Sequence, residues 1–227
     1  MNSLILNIET STTVCSVALA DKGQVIAAKE INEGYSHAEN LHLFINEILA
    51  TAKIDVKDLK AIAVGSGPGS YTGLRIGVSA AKGFAYALQI PLLAVNTLKI
   101  MASSTIGIAE DQLYCSMLDA RRMEVYCSVF DNQLNEIKAT SAEIISEENL
   151  NYFTFSKPIC FFGDGMPKCK EILSQLPNAS FIEGVEPSAR QLAQLSYQKF
   201  LASQFEDIAY FEPLYLKDFL IKTKESH

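Results

Sequence analysis

At 227 residues the chain is long enough for one large domain or two small ones. With 48% hydrophobic and 20% charged residues it carries the apolar surface that a packed core needs, which excludes a disordered chain. A net charge of −7 and a sequence pI near 5.0 argue against strong nucleic-acid binding by this chain alone, and Arg121-Arg122 is its one basic pair.

The longest apolar stretch, Phe84–Val95, contains Gln89 and Pro91 and is too short to cross a bilayer. Met1–Glu9 has neither the basic region nor the apolar run of a signal peptide, so a cytoplasmic chain without membrane contact is expected. The cysteines (Cys15, Cys115, Cys127, Cys160 and Cys169) are odd in number and scattered. They read as small buried thiols rather than a disulfide framework or zinc site.

Leu4–Ile8 is an apolar run ending in the polar turn Glu9-Thr10-Ser11. Val14–Ala20 and Val25–Glu30 follow as strands, and Asp21-Lys22-Gly23 marks the turn between them, which predicts an antiparallel meander. Ser36-His37-Ala38-Glu39 fits a capping box, after which Leu41, Phe44, Ile45, Ile48, Leu49 and Ala52 form a helical stripe. Leu43 lies off that stripe. Ala61–Val64 is a short strand entering the loop Gly65-Ser66-Gly67-Pro68-Gly69-Ser70. A helix over Thr72–Leu88, a strand over Pro91–Val95 and a helix over Asn96–Ser104 complete a βββαβαβα order, which predicts a mixed sheet with helices over its parallel part.

The second half gives strands at Leu113–Leu118, Glu124–Phe130, Ile159–Phe162 and Ala179–Ile182. Helices are expected at Met166–Leu176 and Ser188–Phe205. Strands come first and βα alternation second in both halves, a faint internal duplication. The tail Leu214–Ile221 holds Tyr215, Leu216, Phe219 and Leu220, enough apolar mass to dock on the body.

From Gly73 to Leu88 only Arg75 and Lys82 are charged, and they share a face. A helix lying on one sheet needs one apolar face, not three-quarters of its circumference. Either it is sandwiched inside its own fold, or its far side packs on another protein. Gly73, Gly77 and Ala81 at i, i+4 and i+8 allow another backbone to approach closely.

Glu9-Thr10-Ser11-Thr12-Thr13 places a carboxylate and four hydroxyls at a strand end, a set that can hold phosphate and magnesium or simply form a turn. Gly65–Gly69 precedes a helix N-terminus, where an anion is favoured, but it matches neither the P-loop nor the dinucleotide fingerprint. His37 and His42 are five apart and support no metal site or catalytic triad; both read as ordinary surface residues.

Ile5–Ser11 and the run Gly65-Ser66-Gly67-Pro68-Gly69-Ser70-Tyr71-Thr72-Gly73-Leu74-Arg75-Ile76-Gly77 resemble the TsaB (YeaZ) family. Asp119-Ala120-Arg121-Arg122-Met123-Glu124-Val125-Tyr126 and Pro213-Leu214-Tyr215-Leu216 agree. The resemblance implies an α/β actin-like ATPase (ASKHA) fold of two ribonuclease-H-like subdomains with mixed sheets. The subdomains are expected at 1–105, carrying partner-binding helices, and at 106–227. It also implies a role in making N6-threonylcarbamoyladenosine at position 37 of tRNA. There a synthase makes threonylcarbamoyl-AMP, TsaD transfers the threonylcarbamoyl group, TsaB binds TsaD as a non-catalytic paralogue, and the ATPase TsaE joins them.

In TsaD two histidines four residues apart hold the catalytic metal; Thr97 and Met101 stand at those positions here, so no metal is expected. No catalytic residue is expected. Glu9, Thr10, Ser11, Gly67, Gly69 and Ser70 are the candidates for weak nucleotide binding. No intrinsic cofactor is expected; the resemblance implies ATP or ADP only in the complex with TsaD and TsaE. The resemblance puts the TsaD contact, and self-pairing when the chain is alone, on the first two helices, with Leu43, Ile76, Ala80 and Gly83 in or near it. tRNA is reached only through the complex. The competing expectation is an independent actin-fold kinase or carbamoyltransferase using Glu9 for magnesium, for which Asp119 is the best-placed base.

Overall fold

Leu4–Glu9 (β1) is buried along its whole length, as a strand is when both faces of its sheet are covered. In the computed structural model, which describes residues 3–34, 36–108 and 111–216, it is the central strand of the first of two five-stranded sheets. Cys15–Asp21 (β2) and Gln24–Ile31 (β3) extend the sheet antiparallel on one side. Ala61–Gly65 (β4) and Leu92–Val95 (β5) extend it parallel on the other. His37–Ala52 (α1) joins β3 to β4, and Tyr71–Leu88 (α2) joins β4 to β5. Thr97–Ser103 (α3) follows β5.

The second sheet repeats this plan. Leu113–Asp119 (β6) is central, Glu124–Phe130 (β7) and Glu136–Ile144 (β8) are antiparallel to it, and Ile159–Phe162 (β9) and Ala179–Ile182 (β10) continue it in parallel. The orders β3-β2-β1-β4-β5 and β8-β7-β6-β9-β10 are the same path drawn twice, as two ribonuclease-H-like units require. Lys170–Leu173 (α4) lies between β9 and β10, and Ala189–Leu201 (α5) closes the second unit.

Each unit's last helix packs against the other unit's sheet. α3 lies on β6 and β7, burying Leu98, Met101 and Ala102 against Tyr114, Leu118, Phe130 and Phe162. α5 lies on β1, β2 and β5, burying Leu192 and Leu195 against Ile5, Ala63 and Leu93. The fourth residue of each central strand pins the crossing helix with a buried hydrogen bond. Ser196 Oγ donates to Asn7 Oδ1 at 2.6 Å, and Ser116 Oγ donates to the Leu98 carbonyl at 2.7 Å. α5 therefore belongs to the second unit by sequence and to the first sheet by packing.

Four local expectations change. Ser36 starts α1, but with φ −97° and ψ 17° its hydroxyl makes no cap; its carbonyl instead accepts from Glu39 and Asn40 N–H. β8 was not expected, because its outer-edge position leaves Glu136, Ile137 and Ile144 exposed and erases its alternation. Met166–Leu176 is a 3-10 turn at Pro167–Cys169, with Pro167 at its first position, followed by the single turn α4. α5 ends at Leu201 rather than Phe205.

All five cysteines are buried and free. Burial pushes the Cys15 thiol up to about 11. Among the described residues no helix is long and apolar enough to cross a membrane. The tail runs back along the first unit: Glu206 bridges Leu92, Lys82 Nζ donates to the Phe211 carbonyl at 2.9 Å, and Leu214 N–H donates to the Ser66 carbonyl at 2.8 Å. Tyr215 meets Tyr71 at 5.1 Å between ring centres. Phe219 and Leu220 lie outside the described residues.

Candidate functional site

The carboxyl ends of β1 and β4 bring the turn Glu9–Thr13 against the loop Gly65–Ser70. The six residues expected to hold phosphate are therefore together, but many of their polar groups are engaged by one another or by Gly73 and Thr97. Ser70 N–H donates to the Ser11 carbonyl at 2.6 Å, and Ser11 N–H donates to Glu9 Oε1 at 2.7 Å. Thr10 Oγ1 donates to the Gly73 carbonyl at 2.8 Å, and Ser70 Oγ accepts from Gly73 N–H at 3.3 Å. Gly67 N–H donates to Thr97 Oγ1 at 3.2 Å while its carbonyl accepts from Thr97 N–H at 2.9 Å.

The glycines serve this contact. A Cβ on Gly69 would sit 2.3 Å from the Ser11 carbonyl oxygen, one on Gly73 2.1 Å from that of Thr10, and one on Gly65 2.0 Å from Glu9 Oε2. A loop that cradles phosphate keeps its N–H groups aimed at an open concavity. In this conformation the residues do not fit a phosphate.

Glu9 is completely buried, and neither its Oε2 nor Ser11 Oγ makes a well-formed hydrogen bond. Burial pushes the Glu9 carboxyl above the usual glutamate value, against the smaller pull of the nearby Ser11 hydroxyl and the Ser11 and Thr10 N–H groups. It holds its proton to higher pH than an exposed glutamate.

His37 is buried, not on the surface as its sequence context predicts. Its Nε2 lies 2.8 Å from the Thr12 carbonyl, bolting the start of α1 to the same turn. Burial lowers its basicity, only partly offset by that contact. No sequence signal distinguishes it from His42, which stays exposed beside Phe84.

Thr97 and Met101 are both fully buried. Thr97 ties the glycine loop to α3, and the Met101 methyl fills the space beside Gly163, where a Cβ would come within 2.5 Å of it. Among the described residues no three His, Cys, Asp or Glu side chains gather into a metal-binding group. Asp119, the base of the competing reading, is engaged by Lys168 and accepts from Arg121 N–H at 2.7 Å. Burial alone would raise its carboxyl; Lys168 and Arg121 together hold it below the usual value, which makes it a poor proton acceptor.

α2 has two different sides. Gly73, Gly77, Ala81 and Ala85 face inward, and the close approach the small residues permit is to this chain's own Thr10. On the outward side Ile76 and Ala80 are half-buried and Gly83 is exposed. Beside it on α1, Leu43 is 56% exposed, and Tyr86 on α2 is 77% exposed. A Cβ on Gly83 would meet nothing within 4 Å. Of the four residues expected at a partner contact, Leu43 and Gly83 are exposed, whereas Ile76 and Ala80 are half-buried and also pack against the first core. Lys82 is turned away from that side, onto the tail.

The family model for TsaD, tRNA N6-adenosine threonylcarbamoyltransferase, matches residues 26–224. The TsaB protein of Bacillus subtilis (strain 168) is 30% identical over 202 residues, covering 86% of this chain and 87% of that protein. The chain belongs to this family, in its TsaB group. Escherichia coli (strain K12) TsaB is 36% identical over 133 residues, 59% of this chain and 57% of that protein. The alignment with the Haemophilus influenzae TsaB covers 53% of that protein, so the chain spans a little over half the length of these two curated relatives. YeaZ from Pseudomonas aeruginosa superposes with a TM-score of 0.81 at 28% identity, over 94% of this chain and 100% of that one. The duplicated sheet order and this match identify the α/β actin-like ATPase fold.

Proposed function

We propose that this chain is a non-catalytic subunit in the biosynthesis of tRNA N6-threonylcarbamoyladenosine. It docks on its paralogue TsaD and enables transfer of the threonylcarbamoyl group from threonylcarbamoyl-AMP to adenosine 37. The curated relatives named for this pathway support the process. The outward side of α2 carries the docking reading. Gly83 costs helix stability of about 1 kcal/mol relative to alanine, and its own fold gains nothing from the missing Cβ. An approaching helix backbone is what a glycine there accommodates. Alone, the chain pairs with itself through the same side.

The isolated chain hydrolyses ATP weakly or not at all, because the Glu9–Ser70 contact uses the groups a phosphate needs. ATP or ADP belongs to the assembly with TsaD and TsaE. tRNA is engaged in that assembly, in the cytoplasm.

Two substitutions test the docking side by co-elution with purified TsaD. Ile76→Asp is expected to abolish co-elution while the variant stays folded. Gly83→Ala is expected to weaken association with TsaD yet raise the Tm of the free chain by about 2–4 °C at concentrations low enough to keep it monomeric. If both variants bind TsaD with unchanged affinity, the docking side lies elsewhere.

A further inference from the structure

The hairpin between β6 and β7 presents two of the chain's four arginines at its tip. Arg121 and Arg122 both adopt left-handed backbone, with φ 71° and 51°, a region that favours glycine and asparagine over long side chains. Both residues are exposed, and among the described residues neither guanidinium has a carboxylate within 4.0 Å. The unfavourable turn is held from beneath. Ala120 N–H donates to the Glu124 carbonyl at 3.1 Å, and Asp119 accepts from Arg121 N–H. Asp164 Oδ1 accepts from Asp119 N–H at 3.0 Å, and Lys168 Nζ donates to the Glu124 carbonyl at 2.7 Å. Packing does not explain arginine here, since neither side chain is buried, and the backbone disfavours it. What the sequence gains is two exposed guanidinium forks, neither in a salt bridge although Arg121 is near enough to Asp119 to lower its carboxyl, on a hydrogen-bonded turn in a chain of net charge −7.

We propose that this tip is a contact for the sugar-phosphate backbone of RNA. It rests on the reading of the chain as a subunit acting on tRNA. It goes beyond that reading by giving this subunit its own point of contact with the nucleic acid. Phosphate fits the forks bidentately and needs no base-specific pocket, which matches a bare hairpin tip. The tip belongs to the second sheet, whereas α1 and α2 pack on the first, so the tip is not part of the docking side itself. The acidic remainder of the chain repels RNA, so the contact is local, weak and salt-sensitive, and the chain alone shows it at low salt.

The test is binding of an unmodified tRNA transcript across a salt series, for the chain alone and for its mixture with TsaD. The variants are Arg121→Asn/Arg122→Asn, which removes the charge but suits the left-handed turn, and Arg121→Lys/Arg122→Lys, which keeps the charge. The asparagine pair is expected to melt no lower than wild type and to co-elute with TsaD unchanged. It is expected to lower tRNA affinity about tenfold at low salt, with a slope of log affinity against log salt shallower by about 1.4–1.8, the value for two lost phosphate contacts. The lysine pair is expected to keep most of that slope. An unchanged slope in the asparagine pair, alone and in the mixture, overturns the proposal. So does unchanged tRNA affinity combined with lost TsaD binding, which would assign the tip to an acidic protein surface. Failure of wild type to co-elute with TsaD would count against the docking side, not the tip, because the salt series on the chain alone still reads the tip.

Discussion

Glu9 shows how one side chain can keep a position and lose the chemistry expected of it. It stands at the end of the central strand, where a carboxylate could meet magnesium, yet it is sealed beneath Gly65 and its proton is held by burial. As pH rises above the ordinary glutamate value of 4.5, the unfolded chain loses a proton that the folded chain keeps, so unfolding is favoured. Glu9 therefore supports the fold most fully below that value, and its contribution is lost as pH rises toward the raised one. Against a Glu9→Gln variant, wild type is expected to lose stability by up to about 1.4 kcal/mol per pH unit through that interval. Urea unfolding of both proteins between pH 4.5 and 8 reads this directly. A difference that stays flat with pH would mean that Glu9 is ionised in the fold.

Among the elements, α2 joins the two halves of the account because its sides do different jobs. The inward glycines let the helix lie directly on the Glu9–Thr13 turn, and the outward glycine leaves room for a neighbour. Gly73→Ala is expected to destabilise by about 1–3 kcal/mol, because the new methyl meets the Thr10 carbonyl and overrides alanine's better helix propensity. A raised urea midpoint for that variant would show that the contact yields easily.

The same helix marks how far the sequence could be read. Its length and its surplus of apolar residues are visible as periodicity and composition. Which small residue faces inward is set by the Thr10 turn, 63 residues before Gly73, and no local pattern encodes that. Leu41, Phe44, Ile45, Ile48 and Leu49 were legible as the buried stripe of α1 for the same reason, since one side of that helix meets one sheet. β8 was not legible because an outer-edge strand has no buried alternation to display. The phosphate-like motif was legible as a set of residues and not as a function. Its hydroxyls and glycines serve a ligand or each other equally well, and only the distances decide.

For the molecule as a whole, the two units are braced by exchanging their last helices, each pinned by a polar residue at the same position of a central strand. The faint duplication in the sequence is thus a real repeat, though the exchange itself appears only when the helices are seen crossing. This bracing, together with the closed Glu9–Ser70 contact, fits the proposed scaffold, whose working surfaces would be the outward helices and the arginine tip. The most direct test is to reconstitute adenosine-37 modification from the synthase, TsaD, TsaE, threonine, bicarbonate, ATP and tRNA, with and without this chain, and to quantify the modified nucleoside after nuclease digestion. The account predicts product with the wild-type chain, little without it or with Ile76→Asp, and full product with Glu9→Gln. Equal product in the absence of the chain, or loss of product with Glu9→Gln despite intact TsaD binding, would contradict it.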